Sequence, residues 1–481
     1  MIPAATFAGK TVAVFGLGRS GQGTCRALAA GGATVAAWDD GEPARQAAAA
    51  AGIPLADLAQ ADWSAFDALL LAPGVPLTHP EPHWTVNRAT AASVPIIGDT
   101  EIFFRELAAR APDKPVIAIT GTNGKSTTTA LTGHLLREAG LTVAVGGNIG
   151  TAVLALDDFD AADVYVLEMS SYQIDLTPGL APSIGILLNV TPDHIERHGT
   201  FERYAAIKSR LVEAARTSII CVDDGPCQAA AEAARARGRD VITLSTAGRP
   251  AMIDADAGGF TVPGGVDVQD GPQAHVFALA DCQTLLGLHN AQNAVAAVVA
   301  ALAIGVRDRP ALQAGLRSFP GLAHRMEPVA ERGGTLFFND SKATNADSAD
   351  KALAAFDGGI FWIAGGRAKA GGASPLAPHF GKIAHAYLIG ESAEAFARDI
   401  AGRCPVTISG TLERAVADAA AAAAQSGTDA PVVLLSPAAA SFDQFPNFEQ
   451  RGDAFVAHVL GLPGVTPLGR ATAFGKRGAG A

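Results

Sequence analysis

The sequence predicts an α/β protein of three domains built on parallel sheets, and three observations carry that expectation. At 481 residues the chain is too long for one compact core, because domains usually run to roughly 100–200 residues. Short apolar, β-branched runs alternate with helix-length segments along most of the chain, the pattern of βα units. Several of those runs end in loops rich in glycine, hydroxyl and charged groups, as strand ends facing a ligand crevice do.

Hydrophobic residues make up 49% and charged residues 17%, which suits a globular core and not a disordered chain. The net charge of -11 argues against nucleic-acid or anionic-membrane partners, since both select basic surfaces. An anionic substrate then needs local positive groups. The five cysteines are scattered with no CxxC spacing, so neither a zinc cluster nor a disulfide framework is expected, and a reducing cytosol fits. The opening MIPAATFAGKTVAVFG lacks a basic segment leading into a long apolar one, and no apolar run reaches the ~20 residues of a membrane span. A cytoplasmic protein without membrane insertion is expected. The alanine runs at 47–51 and 419–424 read as helix filler.

The first domain is expected over residues 1–110. The run TVAVF at 11–15 enters GLGRSGQG, a helix-like stretch follows, and a second strand, ATVAAW, ends at Asp39. That is an N-terminal Rossmann-like βαβ opening. Strand-like runs at 68–71 and 94–97 extend the sheet until the polar, proline-bearing stretch at 110–115. Gly16, Gly18 and Gly21 fit GxGxxG, a weak motif alone in a chain with 53 glycines. Its bland reading is a tight turn with close helix–strand packing; its functional reading is a diphosphate held at a helix N-terminus. It does not tell NAD from UDP.

Residues 111–321 form the expected second domain. The strand Val116–Thr120 runs straight into Gly121, Thr122, Asn123, Gly124, Lys125, Ser126 and Thr127, and then into a helix with Leu131, Leu135 and Ala139 on one face. This is a central P-loop ATPase-type parallel sheet: amides wrap phosphates, Lys125 meets their charge and the Ser126 hydroxyl can ligate Mg²⁺. An ordinary strand–helix turn is the weaker reading beside the Lys-Ser pair. Glu168 in LEMSSYQ and His194 in NVTPDH each follow a buried-looking strand, so both belong at the same sheet edge, although either alone would more often be a surface or capping residue. In FERYAAIKSRLVEAA, Lys208 follows Tyr204 by four and precedes Leu211 and Val212 by three and four, which puts it on the face that should be packed. The bland reading is an ammonium snorkelling outward; the sharper one is a desolvated amine able to react with CO₂. Residues 240–285 read as a small β region, and a helix follows Leu288-His289-Asn290.

The last third, 322–481, alternates strands at 336–338, 360–364, 386–389 and 432–435 with helical stretches, a C-terminal Rossmann-like sheet. Loops carrying Asp340, Lys342 and Thr344, then Arg367 and Lys369, then Ser441 follow three of the strands. Positive and hydroxyl groups there suit a dicarboxylate, although singly such turns are more often structural. The tail from about Gly469 is expected to be poorly ordered.

Taken together, GTNGKST, LEMSSYQ, NVTPDHIERHG, the Lys208 helix, GLHNAQN, GLAHRME, NDSKATN and SPAAASFDQFPNFEQRG resemble the ordered signature of the Mur ligases over nearly the whole chain. DSKATN and SFDQFPNFEQRG are similar to the D-glutamate-adding branch. No Asn-Pro-Arg motif of the diaminopimelate-adding branch is present, and Asn123 stands where the alanine-adding branch usually has His. The resemblance implies ATP-dependent joining of D-glutamate to UDP-N-acetylmuramoyl-L-alanine in peptidoglycan precursor synthesis, through an acyl phosphate. It implies domains for UDP, for ATP and for the amino acid, with ATP and two Mg²⁺ sites, in a monomer.

By the same resemblance Gly18, Ser20, Asp39 and Gly74 hold the uridine diphosphate end, and Asn148, Gln173 and His194 the muramoyl-alanine portion or its metal. Asn290, Asn293, Arg325 and Asp340 contact the nucleotide, while Lys342, Thr344, Lys369, Ser441 and Phe448 hold D-glutamate. Lys208 matches a carbamylated lysine that ligates metal with Glu168 and His194, and Ser126 serves the first ion. Three other readings stand beside this one: a folylpolyglutamate-type ligase, an NAD-dependent dehydrogenase built on the first glycine-rich turn, and a nucleotide-gated binding module without catalysis.

Overall fold

The computed structural model describes residues 1–248, 257–262, 264–270, 273–282, 284–368 and 371–469. Lys369 and the tail beyond Gly469 lie outside the described residues. The chain forms two compact units, one of residues 1–280 with 290–317 and one of residues 281–289 with 318–481.

The first unit holds two sheets. Strands β1 (Thr11–Phe15), β2 (Thr34–Trp38), β3 (Ala68–Leu71) and β4 (Ile96–Ile97) form an all-parallel sheet in the order β2-β1-β3-β4. Its central strands β1 and β3 are apolar and buried on both faces, as parallel strands covered by helices are, whereas the edge strand β2 is partly exposed. The helix Arg19–Ala30 leaves the glycine-rich turn after β1. A Cβ on Gly21 would stand 1.9 Å from Gly16 O, so this glycine is required by close helix–strand packing.

The second sheet contains β5 (Val116–Thr120), β6 (Val143–Gly147), β7 (Val164–Glu168), β8 (Ile184–Leu187), β9 (Thr217–Cys221), β10 (Asp240–Ser245), β11 (Ala257–Val262), β12 (Gly265–Asp270) and β13 (Gln273–Ala278). The order is β13-β12-β11-β10-β9-β8-β5-β7-β6. Every pairing from β6 across to β11 is parallel, and β11-β12-β13 is an antiparallel meander. That meander is the small β region expected from the alternating, glycine-rich stretch. Chain order reverses at β5, with β7 on one side and β8 on the other, so the loop after β5 opens at a topological switch point, where ligands of such sheets bind. The helix Lys125–Glu138 buries Leu131 and Leu135 completely.

In the second unit β14 (Glu327–Arg332), β15 (Thr335–Asn339), β16 (Ile360–Gly365), β17 (Arg367–Ala368), β18 (Ile383–Ile389), β19 (Val406–Gly410), β20 (Val432–Leu435), β21 (Ala439–Ala440) and β22 (Thr466–Pro467) are strands. The main sheet runs β19-β18-β16-β20-β15-β14-β22, parallel as far as β15, while β17 and β21 pair separately. The alanine runs lie in the helices Glu42–Ala50 and Leu412–Gln425, where alanine's lack of side-chain entropy loss favours helix.

Candidate active site

The site begins at the C-terminal end of β5, whose five residues are all buried. Register pairs Ile119 with Glu168 on β7 and Thr120 with Leu187 on β8, and Gly147 on β6 pairs with Glu168. Four loops therefore leave one sheet edge side by side. Gly124 caps the helix Lys125–Glu138 at φ 84°, and a Cβ there would lie 2.3 Å from Asn293 Oδ1. Only glycine lets the loop close this tightly on the helix Leu288–Ala303. From that helix Asn293 Oδ1 accepts from Thr128 Oγ1 at 3.1 Å and its amide donates to Asn290 Oδ1 at 3.0 Å.

Asn189 shapes the loop from the other side. Asn123 N donates to Asn189 Oδ1 at 2.8 Å, Asn189 Nδ2 returns a bond to Asn123 O at 3.2 Å, and Thr122 N donates to Asn189 O at 2.8 Å. The Thr122 and Tyr204 hydroxyls are 3.0 Å apart. Lys125 Nζ folds back to donate to Gly121 O at 2.9 Å and Thr122 O at 2.8 Å, and Ser126 is buried at the first helical turn with Thr127 beside it.

Lys208 does not snorkel. It is 1% exposed, and its Nζ donates to Gly121 O at 2.7 Å and to Thr120 Oγ1 at 3.3 Å. Two lysine ammonium groups thus converge on one carbonyl oxygen. Burial first, and then the Lys125 charge, drive the Lys208 pKa well below the ordinary lysine value, opposed by the Asp193 and Glu168 carboxylates. Glu168 is 2% exposed: Oε1 accepts from Asn148 Nδ2 at 2.7 Å, whereas the buried Oε2 has no hydrogen-bond partner among the described residues. An unpaired buried carboxylate oxygen is costly, and a cation would satisfy it.

His194, at φ 53°, stands at the rim with its ring packed on Tyr172 at 5.1 Å; its ion-pair contacts are Asp193 at 3.4 Å and Glu196 at 3.7 Å. Neither Glu168 nor Lys208 is among them. Gln173 serves first as a helix cap, its amide oxygen accepting from Ser170 N at 3.1 Å. Among the described residues no three His, Cys, Asp or Glu side chains gather into a metal-binding group. Ser126 with the unpaired Glu168 oxygen nevertheless fits Mg²⁺, which commonly takes one or two protein oxygens and completes its shell with phosphate and water. A second site from Glu168, His194 and Lys208 fits only when Lys208 is no longer a cation.

At the other sheet of this unit, the residues expected around the uridine end already organise their own turn. Asp39 Oδ2 accepts from Leu17 N at 2.7 Å and Oδ1 from Gly41 N at 2.8 Å. Ser20 Oγ donates to Asp99 Oδ2 at 3.0 Å, where burial raises the Asp99 pKa. Gly18 is the exposed N-cap of the helix Arg19–Ala30, and Gly74 is exposed in the loop after β3.

In the second unit β15 ends at the fully buried Asn339, whose amide meets Glu327 Oε2 and His324 Nδ1, both at 3.0 Å. Next to it Asp340 accepts from Ser436 Oγ at 2.8 Å and Met326 N at 3.2 Å. Burial pushes its pKa up to about 7 against the pull of those bonds and of the Arg325 and Arg451 charges. Lys342 Nζ lies 5.1 Å from the centre of the Phe448 ring, and Thr344 N donates to Lys342 O at 2.8 Å. Pairing of Arg367 with Ala440 and Ala368 with Ala439 brings the second loop against the one that continues into the buried Ser441. The three strand-end loops therefore share one edge, since β16, β20 and β15 are consecutive neighbours.

Sequence reasoning passed over Asn189, Tyr204, Arg197 and His198 as site residues. A polar residue closing an apolar strand was the signal for Asn189, and Tyr204 sits one helical turn before Lys208. His198 is buried, with Nε2 2.9 Å from Ser171 Oγ, and burial, with the nearby His194 and Lys208 charges, lowers its pKa to about 4. Nothing in the sequence distinguishes it from an exposed loop histidine.

Residues 119–301 match the Mur ligase middle domain and residues 324–439 the Mur ligase, glutamate ligase domain. A Rhizobium meliloti protein, UDP-N-acetylmuramoylalanine–D-glutamate ligase, is 54% identical over 468 residues, covering 97% of this chain and 100% of its own. The chain belongs to the Mur ligase family. A Nitrobacter hamburgensis protein of the same name is 56% identical over 473 residues, again covering 97% of this chain and 100% of its own. Among solved structures, UDP-N-acetylmuramate-alanine ligase from Thermotoga maritima shares the fold, with a TM-score of 0.57 and 16% identity over 94% of this chain and 99% of that one. Membership in the Mur ligases displaces the dehydrogenase reading of the first glycine-rich turn, which now stands as a close-packed βα turn in a ligase.

Proposed function

We propose that this Mur ligase joins D-glutamate to UDP-N-acetylmuramoyl-L-alanine with cleavage of ATP to ADP and phosphate. The observation that carries the reading is the convergence of Lys125, Lys208 and the unpaired Glu168 oxygen on the end of β5; the two relatives named for this reaction support the choice of substrates.

A carboxylate is a poor electrophile, and amide formation needs it activated. On this reading an oxygen of the alanyl carboxylate attacks the γ-phosphorus of ATP, the bond from that phosphorus to the β–γ bridging oxygen breaks, and ADP leaves. The amine of D-glutamate then adds to the acyl carbon of the acyl phosphate, loses a proton, and expels inorganic phosphate. The amides of residues 121–126 and the Lys125 ammonium stabilise charge on the transferring group. Asn148 orients Glu168, and Lys342 with Thr344 and Ser441 meets the carboxylates of the incoming amino acid.

Lys208 in its neutral form adds its nitrogen lone pair to CO₂ and releases a proton, which converts a buried amine into an anionic oxygen ligand. Ser126 and Glu168 would hold one Mg²⁺, and Glu168, His194 and carbamylated Lys208 a second, supplying charge neutralisation for phosphoryl transfer. The domains proposed for the uridine substrate, for ATP and for the amino acid are residues 1–110, 111–321 and 322–481, in a cytoplasmic monomer.

The test is phosphate release from ATP with UDP-N-acetylmuramoyl-L-alanine and, side by side, D-glutamate, L-glutamate, L-lysine or diaminopimelate. Release and amide product with D-glutamate alone is the expected outcome. Product with another amino acid, or with a folate in place of the uridine substrate, overturns the assignment.

A further inference from the structure

The short helix Ile195–His198 carries a side chain that the reaction as derived above does not use. The Arg197 guanidinium reaches to the loop after β3 in the other sheet: Nη1 donates to Gly74 O at 2.8 Å, and Nη2 to Val75 O at 2.9 Å and, at longer range, Pro73 O at 3.5 Å. Its central carbon lies over the Tyr172 ring, 4.8 Å from the centroid. Tyr172 in turn packs against His194 at 5.1 Å and stacks on His198 at 5.2 Å. A planar fork with fixed donors suits several carbonyls at once, which a lysine ammonium cannot span with the same rigidity. The buried Nε finds no partner, so the guanidinium holds this pose although one of its donors goes unmet. A second contact runs in parallel, since a Cβ on Gly199 would stand 2.5 Å from His79 Nε2.

We propose that Arg197 is a positioning residue that fixes the spacing between the Gly74 loop at the uridine diphosphate end and the rim that receives the reacting carboxylate. The inference rests on the substrate assignment above, in which Gly74 and His194 meet opposite ends of one molecule. The first sheet binds the uridine end and the second sheet performs the chemistry, so binding energy gained at the first helps the reaction only when the two are held in register. Remote binding energy is used in this way to orient a reacting group, and small misplacements are expensive. The Arg197–Tyr172 stack supplies a stiff link whose two ends are the Gly74 carbonyl and the His194 ring.

The experiment compares two carboxylate substrates, UDP-N-acetylmuramoyl-L-alanine and the same molecule without its uridine monophosphate, N-acetylmuramoyl-L-alanine 1-phosphate. kcat and KM are measured for the wild type, Arg197→Ala and Arg197→Lys, together with the KM for ATP and the thermal midpoint. The link requires that the wild type turn over the intact substrate faster than the truncated one. It also requires that Arg197→Ala lower kcat for the intact substrate by on the order of 10- to 100-fold while changing the truncated substrate by less than about twofold, with the KM for ATP unaltered. Arg197→Lys should show the same selective loss, smaller in size, and decides the matter if the alanine variant does not fold. Equal losses on both substrates, or no loss on either, overturn the positioning role. A wild type that couples D-glutamate to neither substrate overturns the functional reading, and the link with it.

Discussion

Replacing Lys208 by methionine separates a structural lysine from one kept in place for chemistry. Gly121 O accepts from Lys125 Nζ at 2.9 Å and from Lys208 Nζ at 2.7 Å. Two unit charges roughly 5 Å apart repel by about 3 kcal/mol at an effective dielectric of ~20. Desolvation of the buried ammonium adds to that cost. Against it stands the short hydrogen bond to Gly121 O, for which about 1.5–3 kcal/mol is typical of a charged donor. Methionine fills nearly the same volume, and Gly121 O keeps its bond from Lys125, while the buried Thr120 Oγ1 loses only a long contact of 3.3 Å. Lys208→Met should therefore raise stability by about 1–3 kcal/mol, a rise in Tm of a few degrees, while amide formation falls by at least ~100-fold.

The pH dependence supplies the sign. An unfolded lysine keeps its proton up to about pH 10.4, whereas burial and Lys125 make the folded chain release it well below that. Between those values the unfolded state binds more protons, so wild-type stability climbs with pH. The variant lacks that linkage, and its advantage should be largest at neutral pH and shrink as pH approaches 10. Differential scanning calorimetry in CO₂-free buffer at pH 7 and pH 10 measures both arms. A variant destabilised equally at the two pH values would show that the ammonium is a net structural tie, and the reasoning would fall.

In the second unit, the Asp340 carboxyl is raised to about 7 by burial against about 3.9 for an unfolded aspartate. The folded chain thus holds the extra proton between those values, and wild-type stability falls as pH rises through that window. Asp340→Asn should gain Tm relative to wild type from pH 4 to 7 and stay level above; a difference independent of pH would refute a protonated Asp340. At the phosphate loop, Gly124→Ala places a methyl 2.3 Å from Asn293 Oδ1 at φ 84°, and the left-handed strain alone costs about 1–2 kcal/mol. The KM for ATP should rise by roughly tenfold; unchanged nucleotide affinity by calorimetric titration would remove this loop from the nucleotide site.

Much of this architecture was legible because strand and helix periodicity are local. The expected strand Val116–Thr120 has those bounds, and Leu131 and Leu135 take the buried face assigned to them. The expected strand at 94–97 shortens to Ile96–Ile97, and β6, β9, β14, β17, β19, β21 and β22 were not anticipated. The glycine-bearing VAVGG of β6 and the charged EPVAER of β14 lack a clean apolar run, so their strand character comes from their neighbours. At the site, the residue types of the phosphate loop announced an anion cradle. That Asp39 would accept from the glycine-rich turn and Ser20 would bond Asp99 depends on side-chain geometry that no spacing rule contains.

By itself the sequence determined many of the βα units, the glycine-rich turn that opens the helix Lys125–Glu138 and the face on which Lys208 lies, because each follows from the composition and period of a few contiguous residues. Only the tertiary structure decided that Lys208 and Lys125 share one carbonyl, that Glu168 keeps an oxygen unpaired, and that Arg197 reaches the loop after β3. The Lys208 and Arg197 contacts join residues 87 and 123 positions apart. Their energies depend on burial and on distances of a few ångströms, quantities that exist only once the sheets have formed.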